Sequence, residues 1–306
     1  MSSLDPAAIN PGPLSRFAHR ILHTRRRNTP QGSRRNIHEH YNLGNDFYCL
    51  WLDPETLLYS CAVFERPDQT LADAQIAKIR RVLEMAGIRP EHHVLEIGCG
   101  WGGFAIEAVR LTGCRVTGIT ISEAQLELAQ ARVQAAGLAD RIELRLLDYR
   151  DLDGRYDRIV SIEMLEAVGH EYFECFFRKC TGVLKPEGRL ALQVITIPHE
   201  RYEPYRRSPD WIQKHIFPGG VLPSREILAT AMETAGLRIG QADNIGQHYP
   251  PTLRAWREQF NAHAADLSRM GFDTTFQRKW NYYFAYCEAG FATGHIDDWL
   301  LALVRR

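Results

Sequence analysis

The sequence predicts an α/β fold built on a doubly wound, mostly parallel sheet, and three observations predict it. From about residue 70 onward, short β-branched runs alternate with segments of helical period. An early apolar run leads into a glycine-rich turn and then a helix. The 306 residues, 45% apolar and 24% charged, can bury one large core.

Residues 1–36 contain Pro, Gly, Ser and Arg with little periodicity, apart from Leu14, Phe17, Ala18, Ile21 and Leu22, which could form one face of a short basic helix. Residues 1–40 carry seven arginines against Asp5 and Glu39, so the start is net +5 and the remainder net −5. A flexible basic arm is expected over 1–36, either a solvated tail or a contact for a membrane surface or an acyl carrier. Residues 37–306 are then expected to form one domain.

Within that domain, Leu71, Ala74, Ile76, Ile79, Val82 and Leu83 fall at helical spacing over Thr70 to Ala86, with Gly87 as the stop. Strands are expected at His93 to Ile97, Arg115 to Ile119, Ile142 to Leu146, Arg158 to Ile162, Arg189 to Ile195, Leu237 to Ala242 and Trp299 to Val304. Helices fill Phe104 to Leu111, Glu123 to Ala136, Tyr172 to Val183 and Ser224 to Ala235. Two stretches break this rhythm, about 199–222 and 251–294, both rich in aromatic residues. They read as cap insertions over the carboxyl edge of the sheet, where open α/β sheets bind ligands.

Several classes of function lose support. No run of about 18 apolar residues exists to span a bilayer, and the start lacks a signal-peptide stretch, so a cytoplasmic chain is expected. The seven cysteines form no CxxC pair and no zinc-finger spacing with histidine, so reduced thiols and no metal are expected. Basic charge is confined to the arm, which speaks against a nucleic-acid substrate.

The segment VLEIGCGWGG places Gly98, Gly100, Gly102 and Gly103 after an apolar strand, where the backbone must turn tightly and approach a ligand without a Cβ in the way. Glu96, two residues before the first glycine, can take up the ammonium of a bound amino acid. The second strand ends in Thr120 and Ser122 and offers no carboxylate for the ribose of a dinucleotide. An amino-acid nucleoside therefore fits better than a pyrophosphate. Asp148 and Tyr149, after the third strand, suit an adenine-edge acceptor and a stacking ring.

At this point HYNLGNDFYCLWLDP, YSCAVF, QIAKI, LEIGCGWGG, GITISEAQ, DRIVSIEMLEAVGHE, IFPGGVLPS and HYPPTLRAW, in that order, resemble the cyclopropane-fatty-acyl-phospholipid synthase and mycolic acid cyclopropane synthase family. The resemblance runs from about Asn36 to the end, in the family's short form. It implies a class I S-adenosylmethionine-dependent methyltransferase, Rossmann-like, with a seven-stranded sheet, an aromatic-rich helical cap, and bicarbonate as base. By motif, Tyr59, Ser60, Gly98, Gly100, Gly102, the Thr120, Ile121 and Gln125 segment, Tyr149 and Arg150 would contact the methyl donor. Cys61, Glu166, Tyr249 and the Ile162 carbonyl would cradle bicarbonate, and Cys287 would belong to the active site. Gln193 stands where the family usually shows histidine; its amide can donate to an anion but carries no charge. Ala167 replaces a second histidine common in relatives.

The chemistry implied is attack of an alkene on the sulfonium methyl, followed by loss of one proton from a carbocation shielded from water. Aromatic faces can stabilise that cation, and Trp256, Phe260, Trp280, Tyr282, Tyr283, Phe284, Tyr286 and Phe291 are the candidates, although each by itself reads first as core. Glu163 and Glu166 could equally cap a helix start, and only the resemblance singles out Glu166. Cys287 lacks a basic partner nearby and reads as packing. The expected substrate is an unsaturated fatty acyl chain on a phospholipid or carrier, met peripherally at the inner membrane surface. The expected product is a cyclopropane ring; the alternative is a methyl or methylene branch, and a non-catalytic lipid-binding or donor-sensing protein is the reading from another class.

Overall fold

In a computed structural model, the chain is described over residues 43–208 and 210–306, together with Thr29 and Gly32. The expected basic arm lies outside these described residues, apart from those two.

Seven strands form one sheet in the order β3-β2-β1-β4-β5-β7-β6. They are β1 (His93–Ile97), β2 (Arg115–Thr120), β3 (Ile142–Leu146), β4 (Tyr156–Ile162), β5 (Leu184–Thr196), β6 (Leu237–Asn244) and β7 (Asp297–Arg305). β1 to β5 run parallel, and β7 pairs antiparallel with both β5 and β6. β1 and β4 are neighbours, so the chain winds outward to β3 and then returns beside its start. The loops after β1 and β4 thus flank the point where strand order reverses, the usual ligand crevice of an open α/β sheet.

Helices begin and end where the sequence supplies caps. Thr70 Oγ1 accepts from Asp73 N at 3.1 Å to open α2 (Leu71–Ala86), which follows a short α1 (Asn45–Cys49). Gly87 closes α2 at φ 60°, the left-handed conformation that glycine adopts without steric cost. Ser122 caps α4 (Glu123–Ala135), which follows α3 (Gly103–Thr112).

α2 and α3 pack on one face of the sheet with the aromatic side chains of α1 and of the later helices. α5 (Phe173–Val183) and α8 (Arg225–Thr234) cover the other face. The central strands are apolar on both faces because both are covered. β5 begins at Leu184, earlier than expected, because Leu184 pairs with Tyr156 across a register shift that absorbs Pro186 and Gly188.

The two stretches that break the strand–helix rhythm are helical. The first holds α6 (His199–Arg207) and α7 (Trp211–His215); the second holds α9 (Tyr249–Ala262), α10 (Ala264–Arg269) and α11 (Thr274–Ala292). Trp256, Phe260, Trp280 and Phe284 are fully buried and surround Phe47 and Trp51, so these four aromatics pack core. Among the described residues no helix is long and apolar enough to cross a membrane, and no cluster of His, Cys, Asp and Glu could hold a metal ion.

Candidate active site

A cavity of about 790 Å³ opens at the carboxyl edge of β1 and β4, between the sheet and the helices of the two irregular stretches. Tyr59, Ser60, Glu96, Gly98, Gly100, Thr120, Ile121, Gln125 and Tyr149 line one part of it. Ile162, Glu163, Glu166, Tyr249, Tyr283, Tyr286, Cys287 and Phe291 line another. Residues more than 200 apart in sequence therefore share one space.

The turn after β1 explains its glycines. Gly98 has φ 85°, and a Cβ there would meet Met164 Cγ at 2.7 Å. A Cβ on Gly103 would lie 1.9 Å from the Thr56 carbonyl oxygen, so no larger residue lets the 53–60 loop close over the start of α3.

Glu96 is buried in β1 at the cavity wall, and its Oε2 has no donor among the described residues. Burial pushes its carboxyl up to about 8, against a smaller opposing pull from Lys78. A buried acceptor without a donor, on a residue that lines the cavity, suits the ammonium of an amino-acid nucleoside. At the end of β2, Thr120 Oγ1 donates to Gln125 Oε1 at 3.0 Å, which fixes two polar side chains at the wall. Tyr149 offers its ring, and its buried hydroxyl finds no partner among the described residues.

Two of the residues expected at the donor do not line the cavity. Arg150 turns away: its guanidinium bonds Asp148 Oδ2 at 2.9 Å and stacks on Tyr149 and Tyr172, each at 4.9 Å, so it braces the 148–149 turn. Gly102 caps α3 at φ 79°, behind the turn.

The other part of the cavity is organised around Glu163, the residue after β4. Its Oε1 accepts from Cys61 N at 2.8 Å and Gln193 Nε2 at 2.7 Å, and its Oε2 accepts from Tyr249 Oη at 2.6 Å. The backbone of Glu163 is left-handed, at φ 44°, an unfavourable conformation for a residue with a Cβ. Tyr249 is held in turn by Phe291, with rings stacked at 4.1 Å between centroids. Gln193 donates also to Asp298 Oδ2 at 2.8 Å and accepts from Lys78 Nζ at 3.4 Å; Lys78 donates as well to Ser60 Oγ at 2.7 Å. Burial raises the Glu163 carboxyl, while the hydrogen bonds from Tyr249 and Cys61 and the charge of Lys78 pull it back down.

Glu166 lies one turn further on. Its Oε1 accepts from Ile195 N at 2.6 Å, its Oε2 has no donor among the described residues, and burial, with the Glu163 charge, pushes it up to about 8. The Cys61 thiol is fully buried and points at the Ala62 and Ile245 carbonyls, not into the cavity. Burial pushes the Cys287 thiol up as well, so it reaches the cavity as a neutral packing group.

This arrangement tests the expected bicarbonate cradle directly. The donors that would hold the ion, from Cys61, Gln193 and Tyr249, converge on the Glu163 carboxylate instead. The residues present do not fit a bicarbonate ion. From the sequence alone Glu163, like Glu166, could equally cap a helix start, and Lys78 and Asp298 are not singled out. The lysine on the core-facing side of the QIAKI helix, one turn from Ala74 and Val82, was the available signal for Lys78. Nothing in the local sequence of Asp298 marks it.

Comparison with known proteins identifies the family and the fold. The profile of the mycolic acid cyclopropane synthetase family matches residues 28–300. The chain is 45% identical over 281 residues to the tuberculostearic acid methyltransferase of Mycobacterium tuberculosis, covering 89% of this chain and 65% of that one. It is 36% identical over 267 residues to the cyclopropane-fatty-acyl-phospholipid synthase of Escherichia coli, covering 87% and 67%. The chain thus spans about two thirds of the length of these relatives. In structure it is similar to mycolic acid cyclopropane synthase CmaA1 complexed with SAH and CTAB, with a TM-score of 0.82, 32% identity, and coverage of 88% of this chain and 97% of that one. With its seven-stranded sheet, its glycine turn after β1 and a family match over nearly its whole length, the chain belongs to the mycolic acid cyclopropane synthetase family.

Proposed function

We propose that the chain transfers the methyl group of S-adenosylmethionine to the double bond of an unsaturated fatty acyl chain and that Glu163 removes the ensuing proton in place of bicarbonate. The observation that carries this reading is a carboxylate held by three donors at the wall of an otherwise largely apolar cavity. Bound donor supplies an electrophilic methyl. Glu96 would take its ammonium, Thr120 and Gln125 its ribose, Tyr149 its adenine, and Tyr59 and Ser60 would close over it.

The helices of 199–222 and 249–292 serve as a cap that excludes water, with Tyr283, Tyr286 and Phe291 turning ring surface toward the acyl chain. Three donors withdraw charge from Glu163 and fix its direction, which favours proton removal over attack on the cation.

Two products have the same mass, one methylene more than the substrate. Immediate loss of a proton from the new methyl closes a ring. Loss after a neighbouring hydride has migrated leaves a methylene branch. The 45% identical relative is named a tuberculostearic acid methyltransferase and not a cyclopropane synthase, which supports the branched product as the first reading. The likeness to cyclopropane synthases in sequence and structure supports ring closure as the second reading. Phospholipid acyl chains are the proposed source of substrate, met peripherally at a membrane surface.

Incubating the purified chain with methyl-labelled donor and dioleoyl phospholipid vesicles, then analysing the acyl chains by gas chromatography and mass spectrometry, tests this reading. A labelled product that hydrogenates to a methyl branch is expected, and one that resists hydrogenation establishes the ring. Glu163→Gln is expected to lose about 10²- to 10⁴-fold in turnover. Glu166→Gln should lose less, because its amide oxygen can keep the Ile195 bond. Full activity in Glu163→Gln would remove that residue from the mechanism.

A further inference from the structure

We infer that Lys78 is a positioning residue: it keeps Glu163 ionised inside the cavity and aims it through the side-chain amide of Gln193. The inference rests on the reading of Glu163 as the base.

Lys78 projects from the buried face of α2 and has no solvent exposure. Its ammonium reaches Gln193 Oε1 at 3.4 Å, while Gln193 Nε2 donates to Glu163 at 2.7 Å and to Asp298 at 2.8 Å. The amide has one workable orientation: turned over, it would set its NH₂ against an ammonium and its oxygen against the Glu163 carboxylate. Lys78 therefore fixes which end of Gln193 faces the base, and a positive charge is relayed to Glu163 through a polarised amide.

The groups around Glu163 leave this charge task to Lys78. The Cys61 thiol and the Tyr249 and Tyr283 phenols are all raised well above their ordinary values by burial and stay neutral. Glu166 is pushed up to about 8. Asp298 is raised well above the carboxylate range by burial and by the Glu163 charge, so it does not add a second full negative charge beside Glu163. Lys78 is itself lowered by burial, but the charges of Glu163 and Asp53 act to hold its proton.

The same ammonium donates to Ser60 Oγ at 2.7 Å, and Gln75, three residues earlier on the helix, donates to the Ser60 carbonyl at 2.8 Å. One helical face thus braces the expected methyl-donor loop and the base together.

The test compares pH profiles of wild type and Lys78→Met, using donor and dioleoyl phospholipid vesicles. Loss of the charge should move the acid limb upward by about one unit, with affinity for S-adenosylhomocysteine confirming a folded site. A limb that stays in place overturns the inference. A limb that persists in Glu163→Gln instead refutes Glu163 as base. Should Lys78→Met fail to fold, infrared difference spectra of wild type against Glu163→Gln at neutral pH decide without any need for turnover. Loss of a carboxylate band supports the inference; loss of a protonated carboxyl band overturns it.

Discussion

At the residue scale, the role proposed for Glu96 implies that it changes its own charge on binding. Glu96 is buried with its carboxyl pushed up to about 8, so without ligand it is protonated at pH 7. Holding an ammonium requires it to ionise. Binding of S-adenosylmethionine at pH 7 is therefore expected to release close to one proton, and affinity should rise with pH until about 8. Calorimetry in two buffers of different ionisation enthalpy measures that number directly, and Glu96→Gln should abolish it. Glu96 was legible in the sequence because its strand and the glycines after it fix its place. Glu163 was not, because its proposed role depends on donors from Cys61, Gln193 and Tyr249, about 30 to 100 residues away in sequence.

At the element scale, periodicity and caps located the regular elements well. β1 and β3 begin and end where the sequence places them, and the other strands extend by a few residues at their ends. The ends drifted because pairing partners, not local composition, decide where a ladder stops. The aromatic helices were legible as helices but not in their division of labour. Trp256 and Trp280 turn to the core while Tyr283 and Phe291 meet the cavity, a difference set by packing against α1. The contact of α3 with the 53–60 loop gives a sharp prediction. Gly103→Ala puts a methyl into the Thr56 carbonyl and should cost about 1–3 kcal/mol in urea unfolding. A neutral result would mean that the loop can lift away at no cost.

At the scale of the whole molecule, the site concentrates buried acids, and folding stability should register them. Glu96 and Glu166 are both pushed up to about 8 from an ordinary 4.5. Between those values the unfolded chain has released its protons and the folded chain still holds them, so these groups stabilise the fold fully below pH 4.5 and that contribution disappears by about pH 8. The ligand-free protein should lose urea resistance from pH 5 to pH 8 more steeply than the double variant Glu96→Gln, Glu166→Gln. Equal slopes would show that these acids are not held protonated in the fold.

The reversed direction of β7 reaches beyond chemistry. Because this strand runs against its neighbours, its first residues, Asp297 and Asp298, arrive at the carboxyl edge of the sheet, and its body fills the gap between β5 and β6. As the chain leaves the ribosome, β1 to β6 are synthesised before the strand that joins the last two of them. Until β7 docks, β6 has no partner in the sheet and Gln193 lacks Asp298. A nascent chain stopped before β7 would thus present unpaired strand edges and leave Gln193 without Asp298, so sheet closure and completion of the Glu163 cluster are one event that waits on β7.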